Sequence, residues 1–255
     1  MNTYFSDLQK KTVIVTGGSK GIGRDIALSF AKLGANVIIV GRGKEALNQT
    51  LVKLRGFNGR YQAFSSDVND IKAVRTLVDE VVEEFGTVDV LVNNAGVNIP
   101  KPALEVTEED WDKVLDTNLK SVFFFCQAVA RHMIEQKNNG RIINIASQMS
   151  FVGYIKRAAY CSSKGGLVQL TKALAVEWAK QGINVNAVAP TFIETEFTAK
   201  MFEDEDFQND VKSRILLGKL PKPKDISGAV LYLASNLSDF VTGETIKVDG
   251  GWTAI

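Results

Sequence analysis

The sequence has few of the residues that build metal centres and disulfide frameworks. In 255 residues it contains one histidine, His132, and two cysteines, Cys126 and Cys161. A single imidazole excludes any site that needs several histidines, which includes most zinc centres. Two cysteines that form no CxxC motif are typical of a reducing compartment. We therefore expect a cytoplasmic protein without a metal site.

The chain also lacks a charge excess of either sign and any long apolar run. Lys and Arg total 30 and Asp and Glu total 29, which gives a formal net charge of +1. This balance argues against a nucleic-acid partner and against a polybasic membrane patch. No apolar run approaches the ~18–20 residues of a membrane-spanning helix, and residues 1–11 lack the apolar centre of a signal peptide. The expected partner is a small molecule.

Short apolar runs alternate with longer stretches of helical period along the chain. The runs predict strands at Thr12–Thr16, 37–40, 88–92, 142–145, 183–189 and Thr245–Val248. The periodicity predicts helices over 22–33, Ile71–Phe85, 107–136, 158–180 and 225–234. Strands that are apolar throughout and separated by helices are typical of a parallel sheet covered on both faces. The sequence thus predicts a single Rossmann-like, doubly wound α/β domain over residues 1–255, with about seven parallel strands.

The stretch 190–220 interrupts this alternation. It is polar and contains the acidic run EDED at 203–206. Long irregular segments in compact domains are usually either functional or disordered. We expect residues 190–220 to form a substrate lid, with a loose surface insertion as the alternative.

A glycine-rich segment, GGSKGIG at 17–23, joins the first predicted strand to the first predicted helix. Glycines there permit a sharp turn, close approach of the backbone to a pyrophosphate, and tight packing of the helix on the sheet. The N–H groups and the dipole at the helix N-terminus favour the bound anion. The spacing is G-x-x-x-G-x-G instead of the usual G-x-G-x-x-G. Its position still predicts a dinucleotide site with contacts from Gly17, Ser19, Lys20, Gly21, Ile22 and Gly23.

The end of the second predicted strand indicates which dinucleotide is bound. An acidic residue there would bind the ribose 2′-hydroxyl of NAD, whereas an arginine accommodates the 2′-phosphate of NADP. This chain has Gly41 and Arg42, and the first acid is Glu45. The guanidinium of Arg42 matches phosphate oxygens, and Lys20 can add a second cation. We expect NADP(H) in preference to NAD(H), the alternative being that both cations are solvated surface groups.

Three residues predict a reacting centre. Tyr160 and Lys164 have the i, i+4 spacing that places two side chains on one helix face. A free tyrosine has a pKa of ~10, so proton exchange near pH 7 needs a stabilised anion, which the Lys164 ammonium and an oxidised nicotinamide would supply. Ser147 follows the strand 142–145, at the sheet edge where α/β proteins bind ligands. Its hydroxyl can hydrogen-bond an oxygen on which charge develops.

Together these motifs resemble the short-chain dehydrogenase/reductase family, and the resemblance covers essentially the whole chain. The features occur in the family's order, namely the glycine loop, Asp67-Val68, NNAG at 93–96, Asn118, Ser147, and Tyr160 with Lys164. The resemblance implies an NADP-dependent oxidoreductase that acts on CH–OH groups. It also implies a homotetramer packed through the helices that carry Phe124 and Tyr160.

The resemblance further implies a role for each residue. Tyr160 would be the general acid/base, Ser147 would polarise the carbonyl, and Lys164 would bind the nicotinamide ribose and lower the pKa of Tyr160. Asn118 would help to hold a water in a proton relay. Further cofactor contacts would come from Asp67, Val68, Asn94, Ala95, Gly96, Pro190, Ile193 and Thr195. One departure is Thr191, because the family commonly has glycine after this proline.

Within the family, the sequence looks most like gluconate 5-dehydrogenases and related sugar-acid or polyol dehydrogenases. The stretches that carry this likeness are 147–153, 172–190 and 248–254. The likeness implies a substrate such as gluconate or 5-ketogluconate, whose hydroxyls could be served by Asn98, Gln148 and Ser150. Two alternatives stay open. One is a 3-oxoacyl-carrier-protein reductase, and the other is a dinucleotide-binding protein without catalytic activity.

Overall fold

A parallel sheet forms the centre of the molecule. The computed structural model describes residues 4–193, 198 and 202–254. In this part of the chain the strands are β1 (Thr12–Thr16), β2 (Asn36–Gly41), β3 (Tyr61–Ser65), β4 (Val90–Asn93), β5 (Arg141–Ile145), β6 (Asn184–Pro190) and β7 (Thr245–Val248). They form one sheet in the order β3-β2-β1-β4-β5-β6-β7, and every pairing is parallel. The predicted fold class is confirmed.

Helices cover both faces of the sheet. The α-helices are α1 (Gly21–Lys32), α2 (Lys44–Leu54), α3 (Ile71–Phe85), α4 (Glu108–Leu115), α5 (Ser121–Glu135), α6 (Ala158–Trp178), α7 (Glu205–Arg214) and α8 (Pro223–Ala234). Side chains of α3, α5 and α6 share one buried core with the sheet. Side chains of α1, α2 and α8 share the core on the other face.

Strand β1 shows why the central strands are apolar throughout. Ile14 packs in the core with α3, α5 and α6, whereas Val13 and Val15 pack in the core with α1 and α8. All three side chains are fully buried. Successive side chains of a strand point to opposite faces, so a strand covered on both sides needs an apolar residue at every position. Each such burial stabilises the fold by about 1.5–3 kcal/mol.

The chain changes direction across the sheet between its two halves. It runs outwards from β1 to β3, and then returns to place β4 on the other side of β1. In open α/β sheets this arrangement leaves a crevice at the carboxyl ends of the two central strands. The segments that follow β1 and β4 therefore meet at that edge.

The predicted helix 107–136 corresponds to two α-helices, α4 and α5, joined by a π-helical turn. Its predicted start is confirmed, because Thr107 and Asp110 form a reciprocal capping box at the N-terminus of α4. The prediction of one regular helix is wrong, because a π-helical turn, Asp116–Lys120, separates α4 from α5. Such turns occur frequently at functional sites, and this one contains Asn118.

The stretch 190–220 contains regular structure that the sequence analysis missed. Pro190 is the last residue of β6, and residues 205–214 form α7, so the expectation of an irregular segment is wrong there. The Asp204 side chain caps α7 by accepting hydrogen bonds from the N–H groups of Asp206 and Phe207. Phe207 packs edge-on against Phe192, with ring centroids 5.2 Å apart. Residues 194–197 and 199–201 lie outside the described residues.

Candidate active site

A cleft of about 490 Å³ opens at the carboxyl ends of β1, β4, β5 and β6. The loops after these four strands form its walls. The structure brings most of the predicted site residues into this cleft, namely Gly17, Ser19, Lys20, Gly21, Ile22, Gly23, Arg42, Asn94, Ala95, Gly96, Ser147, Tyr160, Lys164, Pro190 and Ile193.

Three of the predicted residues that the structure describes do not line the cleft. Asn118 is fully buried behind its wall. Asp67 is exposed beyond the end of β3, where its carboxylate accepts a hydrogen bond from the N–H of Asn69, and Val68 packs in the core beside α3. Thr195 lies outside the described residues. The predicted roles of Asp67, Val68 and Thr195 remain predictions.

The glycine loop is packed too tightly for side chains. Gly17 has a positive φ of 64°, and a Cβ on Gly23 would lie 2.3 Å from the Gly17 carbonyl oxygen and 2.4 Å from Asn94 Nδ2. Lys20, at the N-cap of α1, supplies no side-chain cap to this helix. The first-turn N–H groups of a helix without a side-chain cap are available to an anion. The loop therefore forms a cradle of backbone groups at the positive end of α1.

Asn94 and Thr16 hold this cradle to the segment after β4. Asn94 Nδ2 donates to the carbonyl oxygens of Thr16 and Gly17, at 3.0 and 3.2 Å. The Thr16 hydroxyl oxygen accepts hydrogen bonds from the N–H groups of Asn94 and Ala95, both at 3.0 Å. Two polar side chains thus fix both walls of the cleft at the point where the strand order reverses.

The charge of the cleft is positive. Lys20, Arg42 and Lys164 line it, and among the described residues in its lining there is no Asp or Glu. A Cβ on Gly41 would meet the Ser19 hydroxyl at 3.4 Å, so the end of β2 approaches the glycine loop closely. This field attracts anionic ligands such as phosphates and carboxylates.

Asn118 joins the π-helical turn to the cleft wall. Its Nδ2 donates to the Val97 carbonyl oxygen at 2.9 Å and to the Ser163 hydroxyl at 3.0 Å, and its Oδ1 accepts from the Val97 N–H at 2.8 Å. These bonds use both amide hydrogens of the side chain. They tie the segment after β4 to α6, one residue before Lys164. The role of Asn118 in holding a water remains a prediction.

Ser147, Tyr160 and Lys164 meet where β5 faces α6. Lys164 Nζ donates to the Ile145 carbonyl oxygen at 2.7 Å and lies 5.8 Å from the centre of the Tyr160 ring. The Ser147 hydroxyl donates to Gln148 Oε1 at 2.8 Å, and its oxygen accepts from the Met149 N–H at 3.2 Å. The phenol, the hydroxyl and the ammonium therefore line the same end of the cleft.

Burial sets the protonation of this group of residues. Burial raises the pKa of Tyr160, and its hydrogen bond with the Ser147 side chain and the charge of Arg157 oppose that shift. Burial also lowers the pKa of Lys164 to about 8. The expected lowering of the Tyr160 pKa by Lys164 is therefore not found in the protein by itself. Without a further positive charge, the phenol is held as a proton donor.

Several residues of the cleft were not predicted from the sequence. Those without any earlier role are Val97, Ile145, Ala146, Met149, Phe192 and Thr198. They lie within three residues of a predicted site residue in the sequence, and that proximity is the signal that could have found them. Among the described residues, no group of three or more His, Cys, Asp or Glu is placed to hold a metal ion. No helix in this part of the chain has the length and apolar character needed to cross a bilayer.

Comparison with known proteins supports the class that this geometry indicates. A family model described as enoyl-(acyl carrier protein) reductase matches residues 17–253. The chain is 42% identical over 247 residues to the 2-dehydro-3-deoxy-D-gluconate 5-dehydrogenase of Escherichia coli K12, covering 97% of each chain. It is 40% identical over 244 residues to the 3-oxoacyl-(acyl-carrier-protein) reductase FabG of Thermotoga maritima, covering 96% of this chain and 98% of that protein.

A solved structure shows the same fold. It is described as a gluconate 5-dehydrogenase from Burkholderia cenocepacia in complex with NADP and tartrate. It aligns with a TM-score of 0.92 at 35% identity, over 98% of this chain and 99% of that one.

The chain belongs to the short-chain dehydrogenase/reductase family. It is an oxidoreductase, a dehydrogenase of the kind that acts on hydroxyl groups.

Proposed function

We propose that the chain transfers hydride between NADP(H) and a small alcohol or ketone, and that this substrate is a sugar acid or polyol such as gluconate or 5-ketogluconate. One observation carries the proposal. A single cleft joins the glycine loop and the cations Lys20 and Arg42 to Ser147, Tyr160 and Lys164. The groups that we expect to bind the phosphates and to exchange the proton lie along its walls.

The residues present fit such a dinucleotide. The cradle at Gly17 and Gly23 has room for backbone contacts but not for a Cβ, as a closely approaching pyrophosphate requires. Arg42 and Lys20 supply the positive charge for a 2′-phosphate. The nicotinamide supplies or accepts the hydride when the cofactor is bound. Further predicted contacts are Ser19, Gly21, Ile22, Asp67, Val68, Asn94, Ala95, Gly96, Tyr160, Lys164, Pro190, Ile193 and Thr195.

The protein's own groups would move the proton. In the reducing direction, the Tyr160 hydroxyl donates its proton to the substrate oxygen, and the Ser147 hydroxyl donates a hydrogen bond to the same oxygen. The raised pKa of Tyr160 keeps the phenol protonated for this step. In the oxidising direction, Tyr160 accepts the proton of the substrate hydroxyl. The Lys164 ammonium then stabilises the phenolate, and Asn118 fixes the wall between β4 and α6.

The relatives and the charge of the cleft support an acidic, hydroxylated substrate. A relative named for a gluconate derivative and a structure named as a gluconate 5-dehydrogenase both align over nearly the whole chain. The described cleft lining contains no carboxylate that would repel an acidic substrate.

The identity to the Thermotoga FabG supports a second candidate, a 3-oxoacyl-carrier-protein reductase. Purified protein with NADPH separates the two. We expect consumption of NADPH with 5-ketogluconate and at least about tenfold less consumption with an acetoacetyl thioester. The reverse order would select the carrier-protein reductase. The third possibility, binding without turnover, requires that neither substrate consumes NADPH while NADPH still binds.

Three further expectations stay predictions. The homotetramer is supported by the partly exposed Phe124 on α5 and by Val176 on α6, whose side chain is 84% exposed. The lid at 190–220 is supported by α7, which Tyr154 anchors by donating a hydrogen bond to Asp210 Oδ2 at 2.6 Å. Sedimentation tests the first, and limited proteolysis with and without NADPH tests the second. The cytoplasmic location is tested by fractionation of cells.

A further inference from the structure

We propose that Gln148 selects substrates that carry a hydroxyl on the carbon next to the reacting carbon, that is, α-hydroxy ketones and vicinal diols. The inference deepens the proposed function and rests on it, because it takes Ser147 as the hydroxyl that binds the reacting oxygen.

The Ser147 hydroxyl has one proton, and the Gln148 amide accepts it. The distance from Ser147 Oγ to Gln148 Oε1 is 2.8 Å. The other two partners of Ser147 Oγ are the Met149 N–H, which is a donor, and the Tyr160 hydroxyl, which donates to it while the phenol is protonated. A serine hydroxyl can donate only one hydrogen bond. Ser147 therefore cannot bind a substrate oxygen as a donor and keep its bond to Gln148 at the same time.

Substrate binding consequently leaves Gln148 Oε1 without its donor. Gln148 is only 2% exposed, so bulk water cannot easily replace the lost bond. A buried acceptor without a donor is costly, so a ligand that supplies one is favoured over a ligand that does not.

The position of Gln148 Oε1 defines where the ligand must carry its hydrogen-bond donor. Gln148 Oε1 lies at hydrogen-bond distance from Ser147 Oγ. The reacting oxygen of a bound substrate would also lie at hydrogen-bond distance from Ser147 Oγ, ~2.7–2.8 Å. A hydroxyl on the adjacent carbon lies at about that same distance from the reacting oxygen. An acyl chain carries no hydrogen-bond donor for this position.

Two other buried oxygens of the cleft agree with a hydroxylated ligand. Asn98 Oδ1 and Thr191 Oγ1 are both buried without a hydrogen-bond partner among the described residues, and both residues line the cleft. A ligand with several hydroxyls can supply donors to these oxygens, whereas an acyl thioester chain cannot.

A matched pair of ketones tests the inference. Acetoin (3-hydroxy-2-butanone) and 2-butanone share a four-carbon skeleton and differ by the adjacent hydroxyl. We expect the wild type to reduce acetoin with NADPH at a kcat/KM about 5- to 150-fold above that for 2-butanone. Gln148→Met, which keeps the chain length but removes the acceptor, should reduce this preference to within about twofold. Gln148→Glu, which keeps an acceptor, should retain it.

The preference ratio separates selection from structural damage. A disturbed fold would lower both rates and leave the ratio unchanged, and an unchanged ratio in Gln148→Met would overturn the inference. Phe151→Leu is the matched control, because Phe151 lies in the same segment but is exposed and outside the described cleft lining. Its ratio should equal that of the wild type.

A binding measurement provides a readout that does not depend on turnover. Ligand-observed NMR titrations on Tyr160→Phe protein give the Kd of each ketone, and we expect acetoin to bind at least about fivefold more tightly. Equal Kd values would overturn the inference even if neither ketone is turned over. A wild type that consumes NADPH with 5-ketogluconate but shows no preference for acetoin refutes only the role of Gln148. If the wild type consumes no NADPH with 5-ketogluconate, with the thioester or with either ketone, the proposed function itself is refuted.

Discussion

Replacement of Arg42 by alanine should change the choice of dinucleotide more than it changes binding in general. Arg42 lines the cleft beyond the end of β2, and the described lining contains no carboxylate that would repel a 2′-phosphate. A guanidinium–phosphate hydrogen bond contributes ~1.5–3 kcal/mol, but Arg42 is exposed, and exposed ion pairs contribute less. We expect Arg42→Ala to lose about 1–2 kcal/mol of NADPH binding, which corresponds to about 5- to 30-fold in Kd.

The same substitution should leave NADH affinity within about twofold, because NADH has no 2′-phosphate. Titration of the nicotinamide fluorescence measures both Kd values. The difference between the cofactors should shrink as salt is raised from ~0.1 to ~1 M, because the Debye length falls from ~10 to ~3 Å. Lys44→Ala is the control, since Lys44 is exposed two residues further on but does not line the cleft. Equal losses for NADPH and NADH would show that Arg42 does not bind the 2′-phosphate.

Three further predictions concern the phenol, its lysine and the glycine loop. Tyr160→Phe should lower kcat by about 10²–10⁴-fold while NADPH affinity stays within twofold, and either surviving turnover or lost binding would contradict its role. Burial lowers the pKa of Lys164 from 10.5 to about 8. Between pH 8 and 10.5 the unfolded chain therefore binds more protons at this group than the folded protein does, so the unfolding free energy rises with pH in that range. From pH 8 to 10.5 the unfolding free energy of the wild type should therefore rise relative to that of Lys164→Met by up to about 3 kcal/mol, measured by denaturant titration. A difference that does not change with pH would refute the lowered pKa of Lys164. Gly23→Ala should cost about 1–3 kcal/mol of stability and weaken NADPH binding, because its Cβ would lie 2.3 Å from the Gly17 carbonyl oxygen. Gly228→Ala, in an exposed turn of α8 where a Cβ has open space, should instead stabilise by about 0.5–1 kcal/mol, and similar losses in both variants would exclude the clash as the cause.

Local sequence patterns were sufficient to predict those strands and helix ends that depend only on neighbouring residues. The run Thr12–Thr16 predicts β1 with the bounds that the structure has, and α3 ends where Gly86 adopts a left-handed conformation with φ 85°. Both features depend on the residue itself or on its immediate neighbours. The positions of Ser147 and Tyr160 in one cleft also follow from the sequence, because the parallel strands place their carboxyl ends at one edge.

The π-helical turn at Asp116–Lys120 could not be predicted in this way. Nothing in the local sequence breaks the helical pattern between α4 and α5. Asn118 in that turn bonds to Val97 and to Ser163, which are 21 and 45 residues away in the chain. Such contacts exist only after β4 and α6 have packed together.

The amino-acid sequence by itself determined the alternation of strands and helices, the glycine cradle and the chemical groups of the reacting centre, because each depends on residue type and short spacing. Only the tertiary structure decided how those groups are partnered. It gave the Ser147 proton to Gln148, buried Lys164 against the Ile145 carbonyl oxygen, and raised the pKa of Tyr160. Hydrogen-bond partners and the loss of water are set by what else is nearby in space, and that depends on segments far apart in the chain.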